Sequence, residues 1–267
     1  MQKKNLALLC DYGLDDAIAT AYLMNYADRF GKIDILPIGG NFPLKDAFIN
    51  AKRVLTSVKN DKVKVDSDKI RIVDTACLPQ PEEQLWDIHG NDGMGDVLSV
   101  EYEELVDVIG YEKWLTEIDD SYIIVSLGPC TVTLDILSQK GALPVCFMCG
   151  NVSEPPNYNG YEFNHGMDVE AFSKCLKYPH VAATLDTCHN EQCNINKLDL
   201  SGDDTLHILM RRYRELSDGR GEANCYVYDL TVAVWLVYPE RFTTEVLSDK
   251  DGNVITVLKY IGEEPIV

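Results

Sequence analysis

The chain has 267 residues, of which 46% are hydrophobic and 25% are charged, so it is long enough to bury a large core. Its 24 Lys and Arg residues stand against 43 Asp and Glu residues, and the formal charge of -19 disfavours binding to nucleic acid or an anionic membrane. No run approaches the ~20 apolar residues of a membrane span, and the nine cysteines lie mostly in apolar runs. We therefore expect a soluble cytoplasmic protein with reduced thiols, and a single domain over residues 1–267 because no repeat or linker divides it.

The first predicted strand, residues 6–10, leads directly into three acidic residues: Asp11, Asp15 and Asp16. Open α/β sheets bind ligands at the carboxyl ends of their strands. Three carboxylates this close repel one another strongly at low dielectric unless a cation lies among them. This stretch indicates a divalent metal site. Capping of the following helix is an equally open interpretation for Asp15 and Asp16.

Helices and strands alternate in the first half of the chain, as parallel strands with crossover helices require. The predicted elements are a helix over 17–30, a strand over 32–38, a helix over 44–58 and a strand over 69–74. The second strand is followed by Gly39, Gly40 and Asn41. Asn41 either reaches the same sheet edge as Asp11 or serves only as a turn residue.

A long polar loop over residues 79–96 follows, and long loops in compact domains are usually functional or disordered. His89 is the most exposed-looking candidate acid or base in this loop, although a lone loop histidine is more often a bystander. A helix is predicted over 103–117 and a strand over 121–127, followed by the turn Gly128-Pro129-Cys130-Thr131 and another helix.

The cysteine motifs of the second half carry little chemistry. The pair Cys146 and Cys149 falls in a strand pattern over 143–148, whereas redox pairs work at a helix N-terminus. Cys188, His189 and Cys193 lack a fourth zinc ligand.

Three polar positions in the second half are candidates for binding. Glu162 and Asn164 are two residues apart in a predicted extended segment and would point the same way, which suits gripping a diol, although two solvated loop residues would look identical. Asp229 opens an apolar helix and is either a dipole partner or a far-side ligand of the Asp11 site.

Other predictions are an N-cap at Asp168, a strand over 181–185, a helix over 204–217 and a hairpin over 241–259.

Taken together, six motifs in order between residue 5 and about residue 238 resemble the inosine-uridine-preferring nucleoside hydrolase family. They are Asp11 with Asp15-Asp16, Gly40-Asn41, His89-Gly90 through Gly95, Gly128 through Thr131, Glu162-Phe163-Asn164 with Asp168 through Ala171, and Tyr228-Asp229. The resemblance implies a doubly wound, mostly parallel α/β sheet with flanking helices. We expect the C-terminal hairpin beside it.

The resemblance also implies Ca²⁺-dependent cleavage of the N-glycosidic bond of a ribonucleoside by water, releasing free base and ribose in nucleoside salvage. The implied calcium ligands are Asp11, Asp16, the backbone carbonyl of Thr131 and Asp229, an all-oxygen set that suits a hard cation. The implied ribose contacts are Asp15, Asn41, Glu162 and Asn164, while His89 approaches the base. Asp11 would also take the proton of the water. The expected assembly is a homodimer or homotetramer.

The sequence departs from the family pattern in two places. Leu9 stands where the family has its first Asp, and Tyr228 stands where many members carry His beside the base. Tyr is a poorer acid than His at neutral pH, so a modified or non-standard base with a better leaving group is a credible substrate. A nucleoside-binding protein that has lost turnover is the alternative. A phosphatase is excluded because Gly13, not an acid, follows Asp11 at the required spacing.

Overall fold

The structure of the protein is a computed structural model that describes residues 3–98 and 101–267. The strands in these two ranges are β1 (Asn5–Cys10), β2 (Ile33–Pro37), β3 (Ile70–Asp74), β4 (Val108–Gly110), β5 (Tyr122–Ser126), β6 (Val145–Met148), β7 (His180–Ala183), β8 (Phe242–Ser248) and β9 (Val254–Tyr260). The helices there are α1 (Leu14–Asn25), α2 (Leu44–Asn60), α3 (Trp86–His89), α4 (Tyr111–Glu117), α5 (Thr131–Lys140), α6 (Phe163–Met167), α7 (Val169–Cys175), α8 (Leu185–Cys188), α9 (Thr205–Gly219) and α10 (Tyr228–Val237). Short 3₁₀ turns occupy Ala27–Arg29, Glu191–Cys193, Ile195–Lys197 and Pro239–Arg241.

The strands form one sheet in the order β4-β3-β2-β1-β5-β6-β7-β9-β8. The neighbouring strands run parallel except for the antiparallel pair β8 and β9. The chain proceeds outward from β1 to β4, then returns to the other side of β1 and proceeds from β5 to β7. The connections therefore diverge at the carboxyl ends of β1 and β5, which is where such sheets leave a ligand crevice. The predicted fold class is confirmed.

An apolar layer covers each face of the sheet. One layer packs β1 residues Leu6, Leu8 and Cys10 against α1, α2, α9 and α10, and the other packs Ala7 and Leu9 against the side that carries α4, α5 and α7. These five residues of β1 are all fully buried, which explains why the strand is apolar without alternation.

The boundaries of two elements near the site and the sheet edge differ most from the sequence prediction. The predicted helix over 103–117 is helical only from Tyr111, because Val108–Gly110 pairs with β3 as a strand at the sheet edge. Pairing with a neighbouring strand outweighs local propensity in so short a segment. Helix α1 begins at Leu14, earlier than the predicted residue 17, so Asp15 and Asp16 lie in its first turn.

The C-terminal hairpin is confirmed, and β9 joins the sheet beside β7 through the pairing of Val257 with Ala182. In the described part of the chain, no helix has both the length and the apolar character needed to cross a membrane. Within the same residues all nine cysteines are free thiols.

Candidate active site

A cavity of about 200 Å³ lies at the carboxyl edge of the sheet. Seven predicted site residues line it: Asp15, Asn41, His89, Glu162, Asn164, Tyr228 and Asp229. The other lining residues are Leu85, Ile88, Leu127, Met148, Asn157, Tyr158, Phe163, Leu185 and Tyr213. The cavity thus collects polar groups from distant parts of the chain at the crevice that the strand order creates.

Four buried carboxylates cluster beside this cavity; Asp15 and Asp229 line it, whereas Asp11 and Asp16 lie behind them and are fully buried. Oxygens of Asp15, Asp16 and Asp229 lie within 4.8 Å of one another, and Asp11 is fully buried beside them. Burial and the neighbouring carboxylates raise the pKa of Asp16 and of Asp229 well above the ordinary value. Burial raises the pKa of Asp11 to about 6, against the opposing effects of Asp16 and Asn41.

The donor set of this cluster fits a divalent cation. Oδ1 of Asp15 and Oδ1 of Asp16 are buried and have no hydrogen-bond partner. A buried carboxylate oxygen without a partner is costly unless a cation or a ligand hydroxyl satisfies it, and hard cations prefer oxygen ligands of this kind. Asp11 is the better-satisfied member, since the backbone N–H and Nδ2 of Asn41 donate to its two oxygens at 2.8 and 2.9 Å.

The turn between β1 and α1 explains how the chain brings the acids together. The backbone N–H of Gly13 donates to Oδ2 of Asp16 at 3.0 Å, so this carboxylate caps the helix while its other oxygen stays free. Tyr12 adopts φ = 47°, an uncommon conformation for a non-glycine residue. The two sequence interpretations, capping and metal binding, are therefore compatible at Asp16.

Glycines allow neighbouring loops to approach Asp11 closely. A Cβ atom at Gly40 would clash with the carboxylate of Asp11, and one at Gly128 would lie 3.1 Å from its Cβ and Cγ. Position 40 must therefore be glycine if the Asp11 carboxylate is to keep its present position.

His89 is buried, which corrects its prediction as an exposed loop residue. It ends α3, is 3% exposed, and its Nδ1 accepts the backbone N–H of Leu14 at 3.0 Å. Its ring stacks on Tyr213. This hydrogen bond places the proton of the neutral ring on Nε2, and burial lowers the pKa of His89.

Glu162 and Asn164 both reach the cavity, but the predicted extended segment is wrong. Glu162 is the N-cap of α6, and its carboxylate accepts the backbone N–H groups of Gly150, Asn164 and His165 at 2.8 to 3.0 Å. Burial raises the pKa of Glu162 to about 7 despite these bonds.

Asn164 is anchored to two strand ends. Its Nδ2 donates to the carbonyls of Leu127 and Met148 at 3.0 and 2.9 Å, while its buried Oδ1 has no partner. The side chain is therefore held firmly with one acceptor still available.

The structure does not support the carbonyl of Thr131 as a metal ligand. Thr131 is the first residue of α5, and its hydroxyl donates to Asp168 at 2.6 Å. Carbonyls of a helix point towards its C-terminus, here away from the sheet edge. Leu127, which directly follows β5, lines the cavity instead.

A histidine that was not predicted as a site residue lies beside Tyr228. Nε2 of His189 lies 3.3 Å from the hydroxyl of Tyr228, and its Nδ1 lies 2.7 Å from Oε2 of Glu154. The ring of Tyr226 stacks on His189 with centroids 4.7 Å apart. The sequence pattern indicates His189 only as a candidate zinc ligand, and no local spacing links it to a tyrosine 39 residues away.

Comparisons with known proteins place the chain among nucleoside hydrolases. The family model for inosine-uridine preferring nucleoside hydrolase matches residues 6–259. A plant nucleoside hydrolase superposes with a TM-score of 0.71 at 19% identity, covering 96% of this chain and 87% of the other. An inosine-guanosine nucleoside hydrolase gives 0.69 at 22% identity, covering 97% and 89%. No curated protein sequence matches the chain.

Proposed function

The chain belongs to the inosine-uridine preferring nucleoside hydrolase family, and we propose that it uses calcium to hydrolyse a modified or non-standard ribonucleoside into free base and ribose. Family membership makes it a nucleoside N-ribosyl hydrolase that acts on small-molecule nucleosides. The calcium, the base and the residue roles are our proposal. We further propose a single domain, and the cytoplasmic homodimer or homotetramer and salvage role expected from the sequence.

The buried acid cluster is the observation that carries the proposal. Asp11, Asp16 and Asp229 would hold the cation, and the carbonyl of Leu127, which also accepts Nδ2 of Asn164, would be the strand-end oxygen in place of that of Thr131. An all-oxygen set of this kind favours Ca²⁺. When bound, the cation supplies positive charge that acidifies a water at the cavity floor.

Asp11 is suited to take the proton from the attacking water. Asn41 donates to both of its oxygens, which fixes the orientation of the carboxylate. A positioned carboxylate acts as a general base when the water lies within hydrogen-bond reach.

The ribose is held by acceptors that have no hydrogen-bond partner in the part of the chain that the structure describes. Oδ1 of Asp15 and Oδ1 of Asn164 are both buried and unpaired, and both residues line the cavity. Hydroxyl groups of a sugar diol would satisfy them. Glu162 adds a further carboxylate, and the carboxylates stabilise the positive charge that develops on the sugar as the bond to nitrogen breaks.

Departure of the base is assisted by Tyr228 and His89. Burial raises the pKa of Tyr228, so its hydroxyl keeps its single proton, which it can direct either to Nε2 of His189 or to the departing base. His189 lies behind that hydroxyl, with Glu154 on its far ring nitrogen. Since a tyrosine is a weak acid, this arrangement suits a base that departs readily. His89 offers its Nε2–H as a second donor.

The test is a reducing-sugar assay over a panel of purine, pyrimidine and modified ribonucleosides, with wild-type protein, Asp11→Asn and the control Asp46→Asn in the first turn of α2, outside the cavity lining. We expect turnover of at least one modified nucleoside, loss of that turnover in Asp11→Asn, and wild-type rates in Asp46→Asn. Binding without turnover across the panel would instead support a nucleoside-binding protein.

A further inference from the structure

A second group of potential metal ligands lies outside the cavity, where α6 meets the turn of the C-terminal hairpin. It consists of His165 from α6 with Asp249 and Asp251 from the turn between β8 and β9. One ligand atom from each residue lies within 4.8 Å of the other two. The three residues therefore surround a common point from two separate elements.

His165 is the side chain in this group that lacks any partner. It is 1% exposed, and among the described residues neither Nδ1 nor Nε2 has a hydrogen-bond partner. A buried polar group without a hydrogen-bond partner destabilises the folded protein. The ring is confined between Tyr161 and Phe172, with centroids 4.4 and 4.5 Å away, so it cannot readily turn towards water.

The two carboxylates face this ring without reaching it. Oδ1 of Asp249 accepts the backbone N–H groups of Asp251 and Asn253 at 2.9 Å each, which fixes its orientation. Asp251 contacts Nζ of Lys250 at 3.1 Å, and that ammonium also lies 3.5 Å from the centroid of Tyr161. Oδ2 of Asp249 also accepts Nδ2 of Asn253 at 2.8 Å. The turn thus presents two carboxylates to an unpaired imidazole, with Lys250 paired to Asp251.

We propose that His165, Asp249 and Asp251 bind a zinc ion that ties the C-terminal hairpin to α6. One imidazole nitrogen and two carboxylate oxygens are a mixed donor set, which zinc accepts and which differs from the all-oxygen set at the cavity. Water completes the coordination. The zinc site and the calcium site are therefore distinguished by ligand chemistry as well as by position.

The proposed ion would act on the cavity only through the backbone of α6. The backbone N–H of His165 donates to Oε2 of Glu162 at 3.0 Å. Fixing His165 therefore fixes the helix whose first turn carries Asn164 and whose N-cap is Glu162. The ion has a structural role in this proposal and takes no part in the hydrolysis.

Zinc binding is tested by equilibrium dialysis of chelator-stripped protein, with saturating calcium present throughout, followed by elemental analysis. The variants are His165→Gln, Asp251→Asn and Asp16→Asn, and the matched controls are His207→Gln and Asp120→Asn. Asp251 is exposed, so Asp251→Asn should fold even if the buried His165→Gln does not. Thermal unfolding with and without zinc gives a second readout that does not depend on activity.

The expected result is one zinc per chain in the wild type and in both controls. His165→Gln and Asp251→Asn should bind zinc about tenfold or more weakly, and the zinc-induced rise in the unfolding midpoint should disappear in Asp251→Asn. Absence of zinc uptake by the wild type overturns the proposal. Zinc uptake that Asp251→Asn leaves unchanged also overturns it. Zinc uptake that only Asp16→Asn removes overturns it too, because the ion would then lie in the acid cluster.

Discussion

The hydroxyl of Tyr228 lies 3.3 Å from Nε2 of His189, at the rim of the cavity that the acid cluster borders. Family members often carry a histidine at the position of Tyr228, whereas this chain places its histidine one side chain further from the cavity. Glu154, 2.7 Å from the other ring nitrogen, holds the imidazole in place. The leaving base would therefore meet a tyrosine backed by a histidine.

Tyr228→Phe should lower kcat for the best nucleoside of the panel by about 10²-fold or more, which is the ordinary contribution of a positioned general acid. His189→Gln should have a smaller effect, because it acts by positioning the tyrosine hydroxyl. The measurement is steady-state kinetics with a ribonucleoside and with p-nitrophenyl riboside, whose leaving group needs no proton. Both variants should retain near wild-type rates on the riboside. Equal losses on both substrates would contradict a role in departure of the base.

Gly40→Ala should disable the enzyme without unfolding it. The added Cβ would clash with the carboxylate of Asp11 and displace it, and small displacements of a reacting group cost about 10²-fold in rate. Gly110→Ala is the matched control, since a Cβ there meets nothing within 4 Å. Thermal unfolding and kcat/KM should be measured for both variants. Wild-type kcat/KM in Gly40→Ala would show that the position of Asp11 does not matter.

Asp186 should stabilise the fold in a pH-dependent way. Burial alone would raise the pKa of Asp186. Hydrogen bonds from the hydroxyl of Ser153 and from the backbone N–H groups of Val152, Ser153 and Glu154 outweigh this effect, so the pKa is lowered. A lowered folded-state pKa means that its stabilisation is present above the unfolded pKa, near 4, and is lost as pH falls through the folded value.

Asp186→Asn should therefore reduce the free energy of unfolding by about 1–3 kcal/mol at pH 7, with the difference shrinking below pH ~4. Urea denaturation at pH 7 and pH 3 measures this, with Asp120→Asn as the exposed control. A difference that stays constant across this range would contradict the assignment. Because this loop carries Glu154, the variant also reports on the support of His189.

Much of the fold could be read from the sequence, because its signals are local. The unbroken apolar run of β1 followed by Asp11 predicts a buried parallel strand with a polar end, and the spacing around Gly252 predicts the hairpin. The boundary error at β4 arose because only the neighbouring strand β3 makes Val108–Gly110 a strand.

The site was less accessible from sequence, because its decisive contacts are long-range. The burial of His89 depends on Tyr213 and on the backbone of Leu14. The pairing of His189 with Tyr228 has no local pattern at all. Motif matching placed the carbonyl ligand at Thr131, but only helix geometry shows that this carbonyl points away from the sheet edge.

Removal and return of calcium is the most direct test of the central claim that the buried acids hold a catalytic cation. Wild-type protein, Asp16→Asn and the control Asp46→Asn should be stripped with a chelator, assayed on the best nucleoside of the panel, then titrated with Ca²⁺ in the assay and in a calorimeter. We predict that stripped wild-type protein and Asp46→Asn lose turnover and regain it as calcium binds, whereas Asp16→Asn binds calcium weakly and stays slow. Full turnover by metal-free wild-type protein would contradict the account.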